Sequence, residues 1–382
     1  NGCSYAIVDE KDCKKDERYL LVDDVLATLQ DLAKHHRNQL QIPVICITGT
    51  NGKTTTKELI NAVLSCSFKV CSTPENLNNH IGVPLTILAI PENTEMAVIE
   101  IGANHVGEID FLCQIAKPTF GLITNIGKAH LEGFGGIEGV KKAKAELFTF
   151  LKENGGKAFV NSENDILMGM SKALDCIYYG MHDKGKCKGK LVSETPFLSI
   201  EGTLNNSDGF IINSNLIGAY NFENVLAAVC VGHYFGISDD AIKSAIENYI
   251  PNNRSQVIEY KHNTILLDAY NANPMNMKAM LTSFANDPAE QKMIILGDML
   301  ELGAYSEEEH IAILNLVKGC NFDQVILVGE QFGKVKGTLA STHFNTVQDT
   351  GKWLKENPPI GMKILLKASR GIGLEALLNY LK

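Results

Sequence analysis

A glycine-rich segment between an apolar run and an amphipathic stretch carries the clearest chemistry in the sequence. Glycines let backbone N–H groups converge on a phosphate, a lysine adds a mobile cation, and a threonine hydroxyl can bind Mg²⁺. A helix expected to begin near Lys53 would direct its positive end at the same anion. The pattern predicts a nucleoside triphosphate site formed by Gly49, Thr50, Asn51, Gly52, Lys53, Thr54 and Thr55.

The spacing of this loop differs from that of the general P-loop, because Ile47 stands where the first glycine would be. A chance glycine-rich turn is the alternative. The apolar run 44–48 before the loop and the helical spacing of Leu59, Ile60 and Val63 after it favour the phosphate site. The loop by itself does not identify the reaction.

A carboxylate and a histidine follow two further apolar runs. Glu100 ends the run AVIE, and the carboxyl end of a strand in an α/β sheet borders the ligand crevice. Mg²⁺ prefers carboxylate, phosphate and water oxygens, so Glu100 is a candidate ligand; a solvated strand end is the alternative. His130 follows the run GLITNI, where a histidine by itself is more often a structural hydrogen-bonding group.

Alternating strand and helix patterns would position these residues. Strand candidates cover 5–8, 44–48, 97–101, 121–126, 157–161, 264–268, 292–296, 324–328 and 362–367, and helix candidates cover 23–37, 137–152 and 221–235. The polar segment 38–43 predicts a linker, 181–215 predicts small antiparallel strands, and 251–253 predicts a second boundary. The alternation predicts an α/β fold with mostly parallel sheet covered on both faces.

Composition opposes several classes of protein. The 382-residue chain has a formal net charge of -9, which opposes nucleic-acid binding. No apolar run approaches the roughly 18 residues of a membrane span. The cysteines form no CxxC pair and no secretory signal is present, which opposes a disulfide framework. We therefore expect a cytoplasmic protein with no nucleic-acid partner and no membrane span.

The loop TGTNGKTTT closely resembles the ATP loop of the Mur ligases. Further motifs extend the resemblance over roughly residues 40–382: NLNNHIGVP (76–84), EIGANH (100–105), HLEGFG (130–135), DAYNANP (268–274) and LGDMLELG (296–303). The family implies a P-loop-type central ATPase domain at 41–250 and a Rossmann-like C-terminal domain at 251–382. Residues 1–40 would then be a truncated α/β remnant of the domain that holds the UDP group.

Within this family, the motifs imply the activity that joins D-alanyl-D-alanine to UDP-N-acetylmuramoyl-tripeptide through an acyl phosphate, in a monomer that uses ATP and Mg²⁺. A related ligase that adds the third residue or acts on folate is the alternative. We find no DNPR-like motif and no GKGS-like loop ending, which those enzymes would carry. A P-loop kinase and a non-catalytic nucleotide-binding module are the other classes.

The resemblance also assigns catalytic roles, to Lys53, Glu100, His130, Lys144 and Arg254. Thr54, Glu100, His130 and Lys144 would hold Mg²⁺, with Lys144 converted by CO₂ into a carbamate. That reaction requires the neutral amine. An exposed helical lysine is the alternative for Lys144, and the nearby lysines 141 and 142 leave the register open, although AKAELF fits the family pattern best.

The remaining assignments concern nucleotide and substrates. Asn221 would contact adenine, Arg254 the phosphates and Asp268 the ribose; Asn221 also suits a helix N-cap. Polar residues in the family motifs would bind the sugar nucleotide peptide and the dipeptide, with turn asparagines as the alternative: Asn76, Asn78, Asn79, His80, Asn104, His105, Asn271 and Asn273.

Overall fold

Short apolar runs form the strands of two mostly parallel sheets. The computed structural model describes residues 3–182, 187–204, 209–251 and 256–381. The strands are β1 (Ala6–Val8), β2 (Tyr19–Leu21), β3 (Val44–Thr48), β4 (Val70–Ser72), β5 (Met96–Glu100), β6 (Phe120–Ile123), β7 (Lys157–Asn161), β8 (Asp175–Gly180), β9 (Cys187–Ser193), β10 (Ser199–Leu204), β11 (Phe210–Asn213), β12 (Gln256–Tyr260), β13 (Asn263–Asp268), β14 (Lys292–Gly297), β15 (Gln324–Val328), β16 (Thr342–Phe344) and β17 (Lys363–Lys367).

Helices connect most of these strands. They are α1 (Val25–Gln39), α2 (Lys53–Leu64), α3 (Gly82–Leu88), α4 (Glu108–Ala116), α5 (Leu131–Phe134), α6 (Ile137–Glu153), α7 (Asp165–Met170), α8 (Phe222–Tyr234), α9 (Asp239–Glu247), α10 (Pro274–Ala285), α11 (Ser306–Lys318), α12 (Glu330–Val335), α13 (Val347–Glu356) and α14 (Leu378–Leu381). Among the described residues, no helix combines the length and apolar composition that crossing a membrane requires.

The larger sheet has the order β11-β10-β9-β8-β7-β6-β3-β5-β4 and forms the central unit together with helices α1 to α9. The strands from β4 to β9 pair in parallel. Strands β10 and β11 pair antiparallel, so the antiparallel addition predicted within 181–215 is present, although β9 itself joins β8 in parallel.

Alternation along the buried strands explains why helices cover both faces of the central sheet. In β3, Val44 and Cys46 pack into the layer of α1, α3, α4 and α6. Ile45 and Ile47 pack into the opposite layer of α2, α8 and α9. Every residue of β3 is buried, as a parallel strand between two helical layers requires.

The smaller sheet forms the C-terminal unit, with helices α10 to α14 and the order β12-β13-β17-β14-β15-β16. Its strands are parallel except β12, which pairs antiparallel with β13. Ile265 and Leu267 face the layer of α13 and α14, whereas Leu266 faces the layer of α10, α11 and α12. Together the two sheets confirm the predicted α/β fold class.

Helix α1 begins and ends two residues later than predicted, so it extends into the segment 38–43, which the sequence predicts to be a linker. The cause is tertiary contact near its end. Arg37 is buried, and its guanidinium donates hydrogen bonds to the carbonyls of Ala116 and Lys117 at 2.8 and 3.0 Å. These bonds join α1 to the end of α4 in the central unit.

Candidate active site

A cavity of about 700 Å³ lies between the two sheets, at the carboxyl ends of β3, β5 and β13. This volume is in the range of small-molecule sites, and the carboxyl ends of parallel strands are where such sites form. Most of the predicted site residues line it: Gly49, Thr50, Asn51, Gly52, Lys53, Thr54, Thr55, Asn76, Asn78, Asn79, His80, Glu100, Asn104, His105, His130, Lys144, Asn221, Asp268 and Asn271. Arg254 lies outside the described residues.

The phosphate loop turns sharply between β3 and α2. Gly52 has φ +80° and stands immediately before Lys53, the first residue of α2. A Cβ on Gly52 would lie 2.5 Å from Asn224 Oδ1, and one on Gly49 would lie 2.0 Å from Thr124 Oγ1. Glycine is therefore required at both positions by close packing as well as by backbone conformation. The result is a helix N-terminus that opens directly into the cavity.

Asn125 holds this loop in place, and its role was not predicted from the sequence. Its Oδ1 accepts from the backbone N–H of Asn51 at 2.9 Å, and its Nδ2 donates to the Asn51 carbonyl at 3.2 Å. The Asn125 carbonyl accepts from the N–H of Thr50 at 2.9 Å. Strand β6 ends at Ile123, before the end of the predicted run 121–126. The position just beyond a buried parallel strand was the available signal.

The ammonium of Lys53 lies over the same loop. Lys53 Nζ donates to the carbonyls of Gly49 and Thr50 at 2.8 and 3.1 Å. This places a positive charge beside the inward-facing backbone of the loop. A phosphate group bound there would meet both the helix N-terminus and the ammonium.

Glu100 and Thr54 supply oxygen atoms that fit a hard cation. Glu100 is 1% exposed, and its Oε1 accepts from Asn78 Nδ2 at 2.8 Å. Glu100 Oε2 and Thr54 Oγ1 are buried and have no hydrogen-bond partner in the part of the chain that the structure describes. Buried oxygens of this kind normally have a partner. Carboxylate and hydroxyl oxygens beside a phosphate loop are the donors that Mg²⁺ accepts.

Lys144 lies on α6 with its side chain turned into the cavity. It is 3% exposed, and Nζ lies 5.6 Å from the centre of the Phe134 ring. Burial, and secondarily repulsion by Lys53, lower the pKa of the Lys144 amine to about 7. A large share of this amine is therefore neutral near neutral pH, which is the form that reacts with CO₂.

His130 stands between β6 and α5 with a positive φ of 50°. Its Nδ1 forms an ion pair with Glu301, which belongs to the C-terminal unit. Burial lowers the pKa of the His130 imidazole, an effect that Glu301 opposes and that Lys53 and Lys144 reinforce. If His130 Nδ1 carries the proton and donates it to Glu301, Nε2 is left with a lone pair. This is the usual arrangement of a metal-binding histidine.

The C-terminal unit contributes a buried ion pair to the cavity wall. Asp268 and Lys367 are neighbours in register at the ends of β13 and β17. Lys367 is 1% exposed, and its Nζ donates to Asp268 Oδ2 at 2.6 Å and to the carbonyl of Asn271 at 3.4 Å. Asp268 also lines the cavity, where a ribose hydroxyl could donate to its carboxylate.

Asn221 is not the side-chain cap of α8 that its position suggested. Its Nδ2 donates to the Ile217 carbonyl at 2.9 Å, and its Oδ1 accepts from Asn224 Nδ2 at 2.9 Å. Asn224 Oδ1 in turn accepts from Thr56 Oγ1 at 3.1 Å. Asn224 was missed, although it follows Asn221 by three residues and so lies on the same helical face. This chain of bonds joins the start of α8 to α2.

Two of the residues predicted to bind substrate, Asn79 and His105, interact with neighbours in the chain. Asn79 Oδ1 accepts from the N–H groups of Ile81 and Gly82 at 3.1 and 2.8 Å, which stabilises the turn into α3. His105 Nδ1 lies 3.1 Å from Glu108 Oε1, at the exposed mouth of the cavity. Asn76 and His80 also line the cavity. Their roles in substrate binding stay predictions.

Asn273 is the described site residue that does not line the cavity. It is buried, and its Oδ1 accepts from the N–H of Asn276 as the N-cap of α10. Its Nδ2 donates to Asn51 Oδ1 at 2.7 Å. The predicted contact of Asn273 with the dipeptide stays a prediction.

Comparison with known proteins decides the family. The Mur ligase middle domain model matches residues 47–232, and the Mur ligase glutamate ligase domain model matches residues 253–356. The chain belongs to the Mur ligase family. The UDP-N-acetylmuramoyl-tripeptide–D-alanyl-D-alanine ligase of Bacillus subtilis is 38% identical to it over 371 residues, covering 94% of this chain and 80% of that protein.

Solved structures agree with this assignment. A MurF crystal structure from Acinetobacter baumannii matches this Mur ligase with a TM-score of 0.88 and 29% identity, covering 100% of this chain and 85% of that one. The MurF ligase of Thermotoga maritima in complex with ADP also has a TM-score of 0.88, with 27% identity over 100% of this chain and 88% of that one. This Mur ligase is therefore an ATP-dependent ligase with the architecture of the MurF structures.

Proposed function

We propose that the chain joins D-alanyl-D-alanine to UDP-N-acetylmuramoyl-tripeptide with hydrolysis of ATP to ADP and phosphate, in the synthesis of the peptidoglycan precursor. The observation that carries the proposal is that the phosphate loop, Glu100, Lys144 and Asp268 line the same cavity. The substrates are those named for the Bacillus subtilis relative. The polar side chains within residues 76–80 line the cavity wall and support a large polar substrate.

The reaction begins with two anions. The terminal carboxylate of the peptide attacks the γ-phosphate of ATP, so the barrier is largely one of charge and position. Lys53 and the N-terminus of α2 stabilise the negative charge that develops on the transferred phosphoryl group. Asp268 and Asn221 orient the nucleoside. Arg254 is expected to contact the phosphates as well; that role stays a prediction.

The acyl phosphate then reacts with the amine of D-alanyl-D-alanine, which releases phosphate and leaves the amide. Water would hydrolyse the acyl phosphate first if it reached the intermediate. The cavity lies between the central and C-terminal units. Ion pairs of Lys128 with Glu309 and of His130 with Glu301 join the two units. Closure of this kind excludes water from the reacting groups.

Mg²⁺ fits the residues at the phosphate end of the cavity, with Thr54, Glu100, His130 and a carbamylated Lys144 as its ligands. When bound, it would neutralise the phosphate charges. The described residues contain no group of three His, Cys, Asp or Glu side chains spaced to hold a metal ion. We propose that phosphate oxygens and the carbamate of Lys144 complete the ligand set; the lowered pKa of the Lys144 amine supports this role.

We further propose that residues 41–250 bind ATP, that 251–382 act as the ligase domain, and that 1–40 belong to the UDP side of the site. One chain supplies all the lining residues named above, so a monomer would suffice. The use of ATP supports a cytoplasmic location for this activity.

The test is phosphate release with ATP, Mg²⁺, the UDP-linked tripeptide and D-alanyl-D-alanine, omitting each in turn and weighing the product by mass spectrometry. Release that needs all four, with formation of the pentapeptide, supports the proposal. Release with another amino acid as acceptor would assign a different ligase of the family. Phosphate retained on the acceptor would indicate a kinase.

A further inference from the structure

The phosphate loop is bonded directly to the C-terminal unit through a partly buried cluster of three asparagine side chains. Asn273 Nδ2 donates to Asn51 Oδ1 at 2.7 Å, and Asn276 Nδ2 donates to the same oxygen at 3.3 Å. Asn51 lies in the phosphate loop, 222 residues before Asn273 in the chain. Asn273 is 3% exposed. Asn51 and Asn276 are half-buried, so both bonds are partly shielded from solvent.

The orientation of the Asn273 amide follows from its second role. Asn273 is the N-cap of α10, and its Oδ1 accepts from the backbone N–H of Asn276 at 3.0 Å. Of the two polar atoms of this amide, only the oxygen can accept a hydrogen bond from an N–H group. The oxygen therefore accepts from Asn276, and the nitrogen donates to Asn51. The Asn276 side chain completes the capping box by accepting from the Asn273 N–H at 2.9 Å. The cluster is thus held rigidly on the first turn of α10.

Asn51 transmits this position to the loop. Its own backbone N–H and carbonyl are both bonded to Asn125, so a shift of the Asn51 side chain would move the turn that precedes Lys53. Two ion pairs also join the units, and each of them has one exposed side chain. The Lys128 side chain is 52% exposed in its pair with Glu309, and Glu301 is 62% exposed in its pair with His130. Exposed ion pairs contribute little.

We infer that Asn273 is a positioning residue: through Asn51, it sets the phosphate loop in its nucleotide-binding shape when the two units are together. The inference rests on the nucleotide part of the proposed function and not on the identity of the peptide substrates. A loop already in its bound shape loses less freedom when nucleotide binds.

The test uses Asn273→Ser in the full chain. Serine is as good an N-cap as asparagine, so α10 should stay intact, but serine cannot reach Asn51. We expect ADP affinity, measured by calorimetry, to fall about fivefold, the factor that corresponds to one net hydrogen bond of about 1 kcal/mol. Backbone amides of residues 49–55 should exchange hydrogen faster, while the melting temperature stays close to that of the unmodified protein.

Asn164→Ser is the matched control. Asn164 caps α7 in the same way, accepting from the Leu167 N–H at 3.1 Å, and it does not line the cavity. This variant should leave ADP affinity and loop exchange unchanged. If Asn273→Ser behaves like Asn164→Ser, the inference is overturned.

Asn51→Ala removes the partner from the loop side and leaves the cap of α10 intact, so it tests the bond even if an Asn273 variant folds poorly. The double variant should bind ADP about as weakly as the weaker single variant, because both remove one interaction. Independent, multiplying effects would overturn the inference. Absence of ADP binding by the unmodified protein would overturn both this inference and the nucleotide site, whereas failure of the peptide substrates alone would refute only the proposed function.

Discussion

Replacing Lys144 by methionine should end the capture of CO₂ by this protein and at the same time stabilise its fold. The amine is 3% exposed, and burial lowers its pKa from 10.5 to about 7. At pH 7 the neutral fraction is then roughly one half, against about 0.03% for an ordinary lysine. The structure therefore raises the reactive fraction by more than a thousandfold.

The same pKa sets the cost to stability. A lysine whose folded pKa lies below its unfolded value loses a proton on folding between these two pH values, so stability rises with pH from about 7 to 10.5. Below about pH 7 the amine is charged in both states and the full penalty remains. The difference corresponds to on the order of 5 kcal/mol. Lys144→Met removes it, so the variant should be more stable by a few kcal/mol at pH 7, and the gap should narrow toward pH 10.

Carbon-13 NMR of the protein equilibrated with ¹³C-bicarbonate measures the capture. The unmodified protein should show a carbamate signal at pH 8 that falls as the pH is lowered through 7, since protonation removes the reactive amine. Lys144→Met should lack the signal, and Lys142→Met, at an exposed position two residues earlier on the same helix, should keep it. A carbamate that persists in Lys144→Met, or one that is absent from the unmodified protein at pH 8, would refute the reasoning.

Lys53→Ala should lower phosphate release at least ~100-fold, the usual loss when a donor to developing charge is removed, with an unchanged circular dichroism spectrum; normal turnover would contradict the role of the loop. Glu100→Gln keeps one acceptor oxygen but removes the unpartnered Oε2. Its affinity for Mn²⁺, measured by electron paramagnetic resonance, should fall by at least the ~10–100-fold typical of changes beside a metal, and unchanged affinity would exclude Glu100 as a ligand. Gly155→Ala, at φ +68° with open space, should cost about 1–2 kcal/mol in urea unfolding. Gly52→Ala, which also meets Asn224 at 2.5 Å, should cost more and abolish ADP binding; equal costs would show that the close contact is easily relieved.

Residues whose roles depend on local pattern were the ones the sequence could place. The phosphate loop follows a fully buried strand and precedes a helix that begins at Lys53, all within a short segment. Glu100 ends a strand of the same kind. In both cases the apolar period and the strand end define the position, so no knowledge of distant parts of the chain was needed.

Residues whose roles depend on strand order or on contact between units could not be placed in the same way. The period of β13 does not reveal that β17 lies beside it, so the pairing of Asp268 with Lys367 was not foreseen. Asn273 belongs to a recognisable motif, but its contact with Asn51 requires the docking of the two units. Asn125 bonds the loop and Asn224 bonds α2 from neighbouring elements, and their positions after a strand and on a helical face do not by themselves reveal these partners.

The strand order of the C-terminal unit has a consequence for how the protein is made. During synthesis, β13 and β14 leave the ribosome well before β17, the strand that lies between them. Until residues 363–367 emerge, the sheet is divided into two halves with unpaired inner edges, and Asp268 lacks the lysine that neutralises it. Nascent chains at this stage expose sheet edges that invite aggregation. A ribosome that stalls before residue 363 would therefore yield a product without the centre of its second sheet, and quality-control proteases should recognise such a product readily.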